Sequence, residues 1–326
     1  MKVCAVILSF DERKNFLPQV IAQLTRIGVA QIIIVDNSDQ RRSHNQVADL
    51  ANAHIRVLPQ DRNLGSAGGY ACGIEAAMQT DAEFFWLLDE DNFPEADALV
   101  QLQKVWQQAS RQAPEQPMML LSYRPQLFPF LNAKVTRNSV AIAPRANSFL
   151  GFHYRRLWSI LTNRLRIQRN RGRSPITKDG QPLSIDAAYY GGLFAPRIIF
   201  EAGYYPNREL FLYWDDVELA RRFLLDGGQI YLVPGSIVHD LDQADLDGQR
   251  SRLFGHPVLT LTPNYKAYYY TRNLIWFERR YLKKKALSYG INRVLALCIL
   301  RMFSLLQAKP SRIKMLYRAM RGASKL

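Results

Sequence analysis

The sequence predicts an α/β domain with a largely parallel sheet and helices on both faces. Short apolar stretches rich in β-branched residues alternate with amphipathic helical stretches, beginning with a strand over 2–8 and a helix over 15–27. Polar clusters follow three of the predicted strands, around Asp11, Asp36 and Asp89. Ligands bind at the carboxyl ends of the strands in such sheets, so these clusters predict one ligand site.

The remaining elements follow from the same patterns. A glycine-rich turn over 63–73 precedes a short helix over 74–78, Pro94 opens another helix, and residues 114–184 have no clear period. Beyond residue 263 the chain is predicted to be helical, basic and amphipathic. Further strands are predicted over 31–35, 54–58, 83–88, 190–194 and 230–233, and a further helix over 216–225.

Length and cysteine content restrict the class of protein. A chain of 326 residues that is 48% hydrophobic can form one large domain with a small appendage. Its three cysteines are far apart and form no CxxC pair, which argues against a disulfide framework or a zinc knuckle. The first residues lack a signal-peptide pattern. A cytoplasmic setting is therefore expected.

The net charge of +15 is concentrated in one region. Residues 264–326 contain 15 Lys and Arg and one acid, Glu278, a net of +14, which leaves +1 for residues 1–263. A basic insertion at about 150–175 adds seven arginines, from Arg155 to Arg173, and no acid. We therefore predict a catalytic domain over 1–263 and a basic extension over 264–326. Both basic regions predict an anionic partner: membrane, nucleic acid or a phosphorylated lipid.

The extension is predicted to lie on a membrane rather than to cross it. Its most apolar stretch, 294–300, is bracketed by Arg293 and Arg301 and is shorter than the roughly 18 apolar residues of a spanning helix. Leu, Ile, Met and Phe spaced between basic residues are typical of an interfacial helix. Packing of the extension on the core, with solvated charges, is the alternative. Nucleic acid is disfavoured because the chain has no recognised binding motif.

The triplet Asp89-Glu90-Asp91 directly follows an apolar predicted strand. Acids at the end of a buried strand are costly unless a cation binds them. Alternate carboxylates can share a divalent cation that also neutralises a diphosphate leaving group. The alternative is a solvated loop that caps the next helix.

Three further features could take part in chemistry. Glycines such as Gly68 and Gly69 allow a nucleotide or sugar to approach the backbone, or pack a helix on the sheet. Asp216, expected to stay ionised at a helix N-terminus, is a candidate general base, whereas a capping role is the alternative. His239 ends an apolar stretch and is a metal ligand only if the fold brings it to Asp91.

Together these motifs resemble family 2 of the inverting glycosyltransferases, which have the GT-A fold. The resemblance covers roughly residues 1–275 and depends on seven motifs in the expected order. It is greatest to the galactofuranosyl- and rhamnosyltransferases that build bacterial surface glycans, and the Trp-Asp-Asp form favours the galactofuranosyl side. The motifs are Ser9-Phe10-Asp11-Glu12-Arg13, Ile34-Val35-Asp36-Asn37, the glycine-rich segment from Asn63 to Gly73, Leu87-Leu88-Asp89-Glu90-Asp91, Gly191-Gly192-Leu193-Phe194, Trp214-Asp215-Asp216-x-Glu218 and His239.

The resemblance implies a role for each matched residue. Asp89 and Asp91, with His239 as a further ligand, would hold Mn²⁺ or Mg²⁺ on the donor diphosphate, and Asp216 would deprotonate the acceptor hydroxyl. Glu90 stands where many relatives have Asp, at the position least committed to the metal. The nucleotide-sugar would contact Ser9, Asp11, Arg13, Asp36, Asn37, Asn63, Gly68, Gly69 and Glu90, and the sugars would contact Gly191, Gly192, Trp214, Asp215 and Glu218.

The resemblance also implies the reaction. A sugar, galactofuranose from UDP-galactofuranose, would pass to a glycan acceptor carried by a polyprenyl diphosphate at the inner face of the cytoplasmic membrane. The alternatives are a rhamnosyltransferase that uses dTDP-rhamnose and a non-catalytic nucleotide-sugar-binding assembly protein.

Overall fold

The computed structural model describes most of the chain, in two compact units. The first unit contains the described residues of 1–142, 176–211 and 215–247, and the second those of 143–175, 212–214 and 248–326. The second unit thus begins upstream of the predicted boundary at 263 and includes the start of the basic insertion. The described residues are 1–10, 15–38, 47–127, 134–135, 139–155, 176, 178–242, 256–307 and 309–326.

The described residues of the first unit contain the strands, five α-helices and a 3-10 turn over Arg208–Leu210. The helices are α1 (Leu17–Arg26), α2 (Gly65–Ala77), α3 (Ala98–Gln112), α4 (Arg197–Glu201) and α5 (Asp215–Leu225). The strands are β1 (Val3–Ser9), β2 (Gln31–Asp36), β3 (Ile55–Pro59), β4 (Phe84–Asp89), β5 (Asn92–Pro94), β6 (Met118–Tyr123), β7 (Lys134–Val135), β8 (Ser139–Ala141), β9 (Leu183–Ile185), β10 (Leu193–Pro196) and β11 (Gln229–Asp240).

The strands form one mixed sheet in the order β3-β2-β1-β4-β10-β6-β11-β9-β8-β7, and β5 pairs with the end of β11. Strands β1 to β4 are mutually parallel, β10 runs antiparallel between β4 and β6, and β11 is parallel to β6. The predicted α/β architecture, a mixed sheet flanked by helices, is confirmed.

Strand β1 explains why the sheet needs helices on both faces. Its residues Cys4, Val6 and Leu8 pack in the same apolar cluster as helix α2, whereas the alternate residues pack in the cluster that contains helix α1. Successive side chains of a strand point to opposite faces, so a strand apolar at every position is buried on both sides. The continuous apolar sequence therefore predicted a central strand.

Several predicted elements differ from those observed. Pro94 does not open a helix but ends the short strand β5, and α3 begins at Ala98. Helix α2 begins at Gly65, so the glycine-rich segment is helical and not a turn. The segment 114–184, which had no assignment, contributes four strands among its described residues. In each case pairing or packing with distant residues outweighed the local pattern.

The second unit is helical among its described residues, as predicted for the extension. It has helices α6 (Pro257–Thr260), α7 (Asn264–Phe277), α8 (Ala286–Leu306) and α9 (Pro310–Gly322), with a π-helical turn over Glu278–Leu282. Contrary to the prediction from the apolar run alone, α8 is long and apolar enough to cross a membrane by length and composition. The amphipathic character of the extension as a whole stays a prediction.

Candidate active site

Three carboxylates meet where the central strands end, and we call them the acidic edge: Asp89, Asp91 and Asp240. Asp89 is the last residue of β4, Asp91 lies in the turn to β5, and Asp240 ends β11, which pairs with β5. Asn92 joins two of them, because its Nδ2 lies 3.3 Å from Asp91 Oδ1 and 3.1 Å from Asp240 Oδ1. The prediction that the acids of the triplet gather at the carboxyl end of a strand is consistent with this arrangement.

Arg124, directly after β6, is the cation within the acidic edge. Its Nε donates to Asp240 Oδ1 at 2.9 Å, and its Nη1 lies 3.7 Å from Asp89 Oδ2. Burial lowers the pKa of Arg124, but Asp240, Asp89 and Asp91 raise it by more, so the guanidinium remains charged. Asp240 Oδ2 is nevertheless buried without a hydrogen-bond partner in the described part of the chain. Arg124 thus interacts with all three carboxylates of the acidic edge.

Position 191 has no space for a side chain, because the acidic edge lies directly beside Gly191. A Cβ at this position would collide with Arg124 Nη1, Asn92 Oδ1 and Asp89 Oδ2. Gly192 has φ of +96°, a conformation that favours glycine. Both glycines were predicted to contact sugar, and the structure places Gly191 directly against Asp89.

Tyr70 of helix α2 supports Asp89 from the other side. Its hydroxyl lies 2.8 Å from both Asp89 Oδ1 and the Leu88 carbonyl oxygen. Burial, followed by the charge of Asp89, raises the pKa of Tyr70 well above its usual value, so the phenol stays protonated and can donate. Glu90, the middle acid of the triplet, is buried.

Asp215 and Asp216 form a second acidic pair at the start of helix α5. Ser66 Oγ lies 2.9 Å from each Asp215 carboxylate oxygen, and Asp216 Oδ1 accepts from the Val217 amide at 2.7 Å. Burial raises the pKa of Asp215 to about 7, and burial together with the neighbouring Asp215 raises that of Asp216 well above its usual value. Desolvation and the like charge of Asp215 thus oppose the helix dipole, which we expected to keep Asp216 ionised.

The predicted nucleotide residues hold the loop before α2. Asn37 Nδ2 donates to Asn63 Oδ1 and to the Gly65 carbonyl oxygen, both at 3.1 Å, and Asn37 Oδ1 accepts from the Leu64 amide at 2.8 Å. Ser9 and Asp36 are paired in register at the ends of β1 and β2 and are fully buried. These residues lie at one edge of the sheet, as predicted. Asp11 and Arg13 lie outside the described residues.

Helix packing explains two of the predicted nucleotide glycines. A Cβ on Gly68 would collide with Leu64, and a Cβ on Gly69 would collide with Leu8 of β1. Gly69 therefore lets α2 pack closely on the sheet, which is the alternative considered from the sequence, whereas Gly68 makes room for Leu64 at the start of the same helix. The close approach to a loop belongs instead to Gly65, where φ is +68° and a Cβ would collide with the Phe211 carbonyl oxygen.

Two of the predicted sugar-contacting residues have structural partners. Glu218 is buried and its Oε1 accepts from Arg222 Nε at 2.8 Å, one turn further along α5. Trp214 belongs to the second unit, where its ring lies 5.4 Å from that of Phe277. Their contact with sugar stays a prediction.

His239 has partners other than the acidic edge. Its Nδ1 lies 3.0 Å from Gln126 Nε2, and its Nε2 lies 3.0 Å from Glu95 Oε1. Within the described ranges no group of three His, Cys, Asp or Glu side chains is arranged to hold a metal ion. The structure thus does not complete the predicted set of Asp89, Asp91 and His239, because the histidine ring is bonded to Glu95.

The carboxylates nevertheless suit a divalent cation that is shared with a substrate. Mg²⁺ and similar ions in nucleotide enzymes are bound by one or two carboxylates plus substrate phosphates, not by a complete protein cage. Asp89 and Asp91, two residues apart, would supply those carboxylates, and the buried Asp240 Oδ2 has no hydrogen-bond partner among the described residues. The residues present therefore fit a metal–diphosphate complex.

Sequence reasoning missed Arg124, Asp240, Asn92 and Tyr70. Asp240 immediately follows the candidate His239, and Arg124 is the first residue after a buried strand, the position that had marked the other polar clusters. This signal was available for β6 only if residues 118–123 had been recognised as a strand.

Comparison with protein families agrees with this site at the level of the domain. Residues 4–114 match the family described as glycosyl transferase family 2. That segment contains β1 to β4, Asp36, Asn37 and the acidic triplet. This segment is therefore similar to family 2 glycosyltransferases, in agreement with the resemblance of the motifs.

One curated relative is Galactofuranosyltransferase GlfT1 of Mycolicibacterium smegmatis, 28% identical over 238 residues. The alignment covers 69% of this chain and 66% of that protein, just under two thirds of its length. Among solved structures, GalNAc-T7 with UDP, GalNAc and Mn²⁺ is 14% identical, with a TM-score of 0.47 over 74% of this chain and 44% of that one. S. aureus TarS 1-349 in complex with UDP is 11% identical, with a TM-score of 0.47 over 97% and 83%.

Proposed function

We propose that the protein is a metal-dependent inverting glycosyltransferase that transfers galactofuranose from UDP-galactofuranose to a growing bacterial surface glycan. The observation that carries the reaction type is the pairing of an acidic edge, which suits a metal–diphosphate complex, with a separate carboxylate pair of raised pKa. The family 2 domain agrees with this chemistry. The galactofuranosyltransferase relative supports the choice of donor.

The reaction is a single displacement. Asp216 takes the proton from the acceptor hydroxyl, the acceptor oxygen bonds to the anomeric carbon, and the bond from that carbon to the diphosphate breaks with its electron pair. A bound Mn²⁺ or Mg²⁺, held by Asp89 and Asp91, would stabilise the charge of the leaving diphosphate. Inversion needs one base and no nucleophilic carboxylate, which matches a single carboxylate pair at the start of α5.

The raised pKa of the pair favours Asp216 as the base. A carboxylate with a raised pKa is a stronger base and accepts a proton more readily than an ordinary aspartate. Asp215 is fully buried and accepts from Ser66, whereas Asp216 is partly exposed and accepts from the backbone of its own helix turn. We therefore assign Asp216 to the acceptor proton and Asp215 to holding the pair in place.

The charge of the extension supports our proposal for the acceptor and the location. A net +14 over residues 264–326 suits an anionic surface, so we propose a polyprenyl-diphosphate-linked acceptor and a peripheral position at the inner face of the cytoplasmic membrane.

Donor binding measured by calorimetry, with and without Mn²⁺, tests the proposal. The donors are UDP-galactofuranose, UDP-galactopyranose, UDP-glucose and dTDP-rhamnose. We expect Mn²⁺-dependent binding of UDP-galactofuranose that is lost in Asp91→Asn but kept in Glu115→Gln, a matched change at an exposed turn. Tighter binding of dTDP-rhamnose than of UDP-galactofuranose would mean that dTDP-rhamnose is the donor. Absence of binding to every donor by the folded protein would contradict the transferase and favour an assembly role.

A further inference from the structure

Helix α8 of the second unit has one buried face and one exposed apolar face. The buried residues recur every three or four positions, as one side of a helix does, and are Tyr289, Asn292, Ala296, Leu300 and Ser304. On the opposite side lies a set of exposed side chains that we call the apolar face: Leu287, Ile291, Val294, Leu295, Cys298, Met302, Leu305 and Leu306.

The apolar face is large and highly exposed. Leu287 is 79% exposed, Leu305 66% and Leu306 73%, although single exposed leucines of a soluble protein are usually scattered. From Leu287 to Leu306 the face extends for about 28 Å along the helix axis. An apolar strip of this length predicts a partner that removes it from water.

The buried face fixes α8 to its own unit. Asn292 Nδ2 donates to the Asn147 carbonyl oxygen at 2.7 Å, and Asn292 Oδ1 accepts from the Tyr154 amide at 2.8 Å. The ring of Tyr289 meets that of Phe149 edge-on, with centroids 5.8 Å apart. A helix held in this way along one side cannot be surrounded by lipid, so it suits a position in the plane of a membrane and not across it.

The charges around α8 identify the chemistry of the partner. The exposed residues Lys283, Lys284 and Lys285 precede the helix, and Arg293 and Arg301 are exposed along it. Residues 279–326 contain 13 Lys and Arg and no Asp or Glu. Basic side chains that flank an apolar face are typical of helices at anionic lipid surfaces, where their stems can reach the headgroups.

We propose that the apolar face of α8 binds the surface of a bilayer with anionic headgroups, the helix lying in the membrane plane. This proposal specifies which surface of the protein binds the membrane. It rests on the proposed function only because a lipid-linked acceptor would have to be reached at a membrane. Leu287, Ile291 and Leu305 would lie below the headgroups and the lysines at their level.

A fluorophore at Cys298 reports on this face directly. Cys4 is buried and Cys72 partly buried, so a Cys72→Ser variant can be labelled at the exposed Cys298 with a polarity-sensitive dye. We expect a blue shift with vesicles of phosphatidylcholine and phosphatidylglycerol, and a much smaller one with phosphatidylcholine alone. Co-sedimentation of unlabelled protein gives an independent measure of binding. Absence of binding to anionic vesicles at low salt would overturn the proposal and leave an acidic protein as the partner of this face.

A double variant distinguishes the contribution of the apolar face to vesicle binding from the contribution of net charge. Ile291→Glu with Leu305→Glu should weaken vesicle binding about tenfold or more, because two apolar side chains that would leave water on binding become charged. The control Val100→Glu with Leu225→Glu makes the same charge change at sites 57% and 56% exposed in the first unit. Equal loss in both variants would contradict the proposal. Donor binding measured on the same proteins distinguishes failure of this inference from failure of the transferase assignment.

Discussion

Buried carboxyl groups have different surroundings in the two units. In the first, Arg124 lies among the three carboxylates of the acidic edge, and Asp240 Oδ2 is buried without a hydrogen-bond partner in the described residues. In the second, Glu278 is held by hydrogen bonds: Ser148 Oγ and the Gly151 amide donate at 2.8 Å and the Leu150 amide at 2.7 Å. Excess negative charge prepares a site for a cation, whereas fully satisfied hydrogen bonds stabilise a fold.

The difference teaches that burial alone does not mark a catalytic acid. Burial raises the pKa of Glu278 to about 7, the same value that it gives Asp215. Asp215, however, lies beside a second carboxylate at the start of a helix, whereas Glu278 orders a loop in which Asn147 and Leu150 have positive φ. The neighbouring charges, and not the pKa, separate the two roles.

The largest expected effect is on catalysis in the first unit. Asp216→Asn should lower kcat by about a thousandfold, because it removes the proposed base. Donor affinity should stay unchanged, since the acidic edge is intact. Steady-state kinetics and calorimetry measure the two effects, and Asp226→Asn, just after the end of the same helix, is the control. Transfer by Asp216→Asn at near the wild-type rate would remove Asp216 from the reaction.

The next effect concerns the second unit and pH. The pKa of Glu278 is about 7 in the folded protein and 4.5 in its ordinary state, so the folded form binds a proton that the unfolded form releases between these values. The contribution of Glu278 to stability is therefore largest below pH 4.5 and falls as pH rises to 7, by about 3 kcal/mol.

Urea unfolding at a series of pH values measures this contribution. We expect the free energy of unfolding of the wild type to fall from pH 5 to pH 8 by more than that of Glu278→Gln, which cannot titrate. Glu115→Gln, at an exposed site, should follow the wild type. Parallel pH curves for all three proteins would mean that Glu278 is ionised in the fold, and the comparison with Asp215 would then fail.

The smallest effect is expected at His239. Its ring nitrogens already lie 3.0 Å from Gln126 and Glu95, so His239→Gln should change the Mn²⁺ dependence of donor binding by less than about threefold. Calorimetry with Mn²⁺ titrated at fixed donor measures it. A loss of tenfold or more would restore His239 as a ligand and show that its ring leaves Glu95 when metal binds.

Local sequence patterns were enough to predict the alternating α/β order and the central strands. They also placed Asp89 and Asp91 after a strand and Asp216 at the start of a helix. These features depend on local periodicity, because a strand buried on both faces is apolar at every position and ends where polar residues begin. The order of the motifs along the chain then provided the family resemblance.

Which charged side chains contact one another depends on the tertiary structure. Arg124 and Asp240 come from strands that are neighbours in the sheet but 116 residues apart in the chain, and their ion pair depends on the register of β6 with β11. The raised pKa of Asp216 likewise depends on tertiary structure, since the helix N-terminus is visible in the sequence but the desolvation beside Asp215 is not. Desolvation and Coulomb interactions depend on distances in space, which the order of residues does not contain.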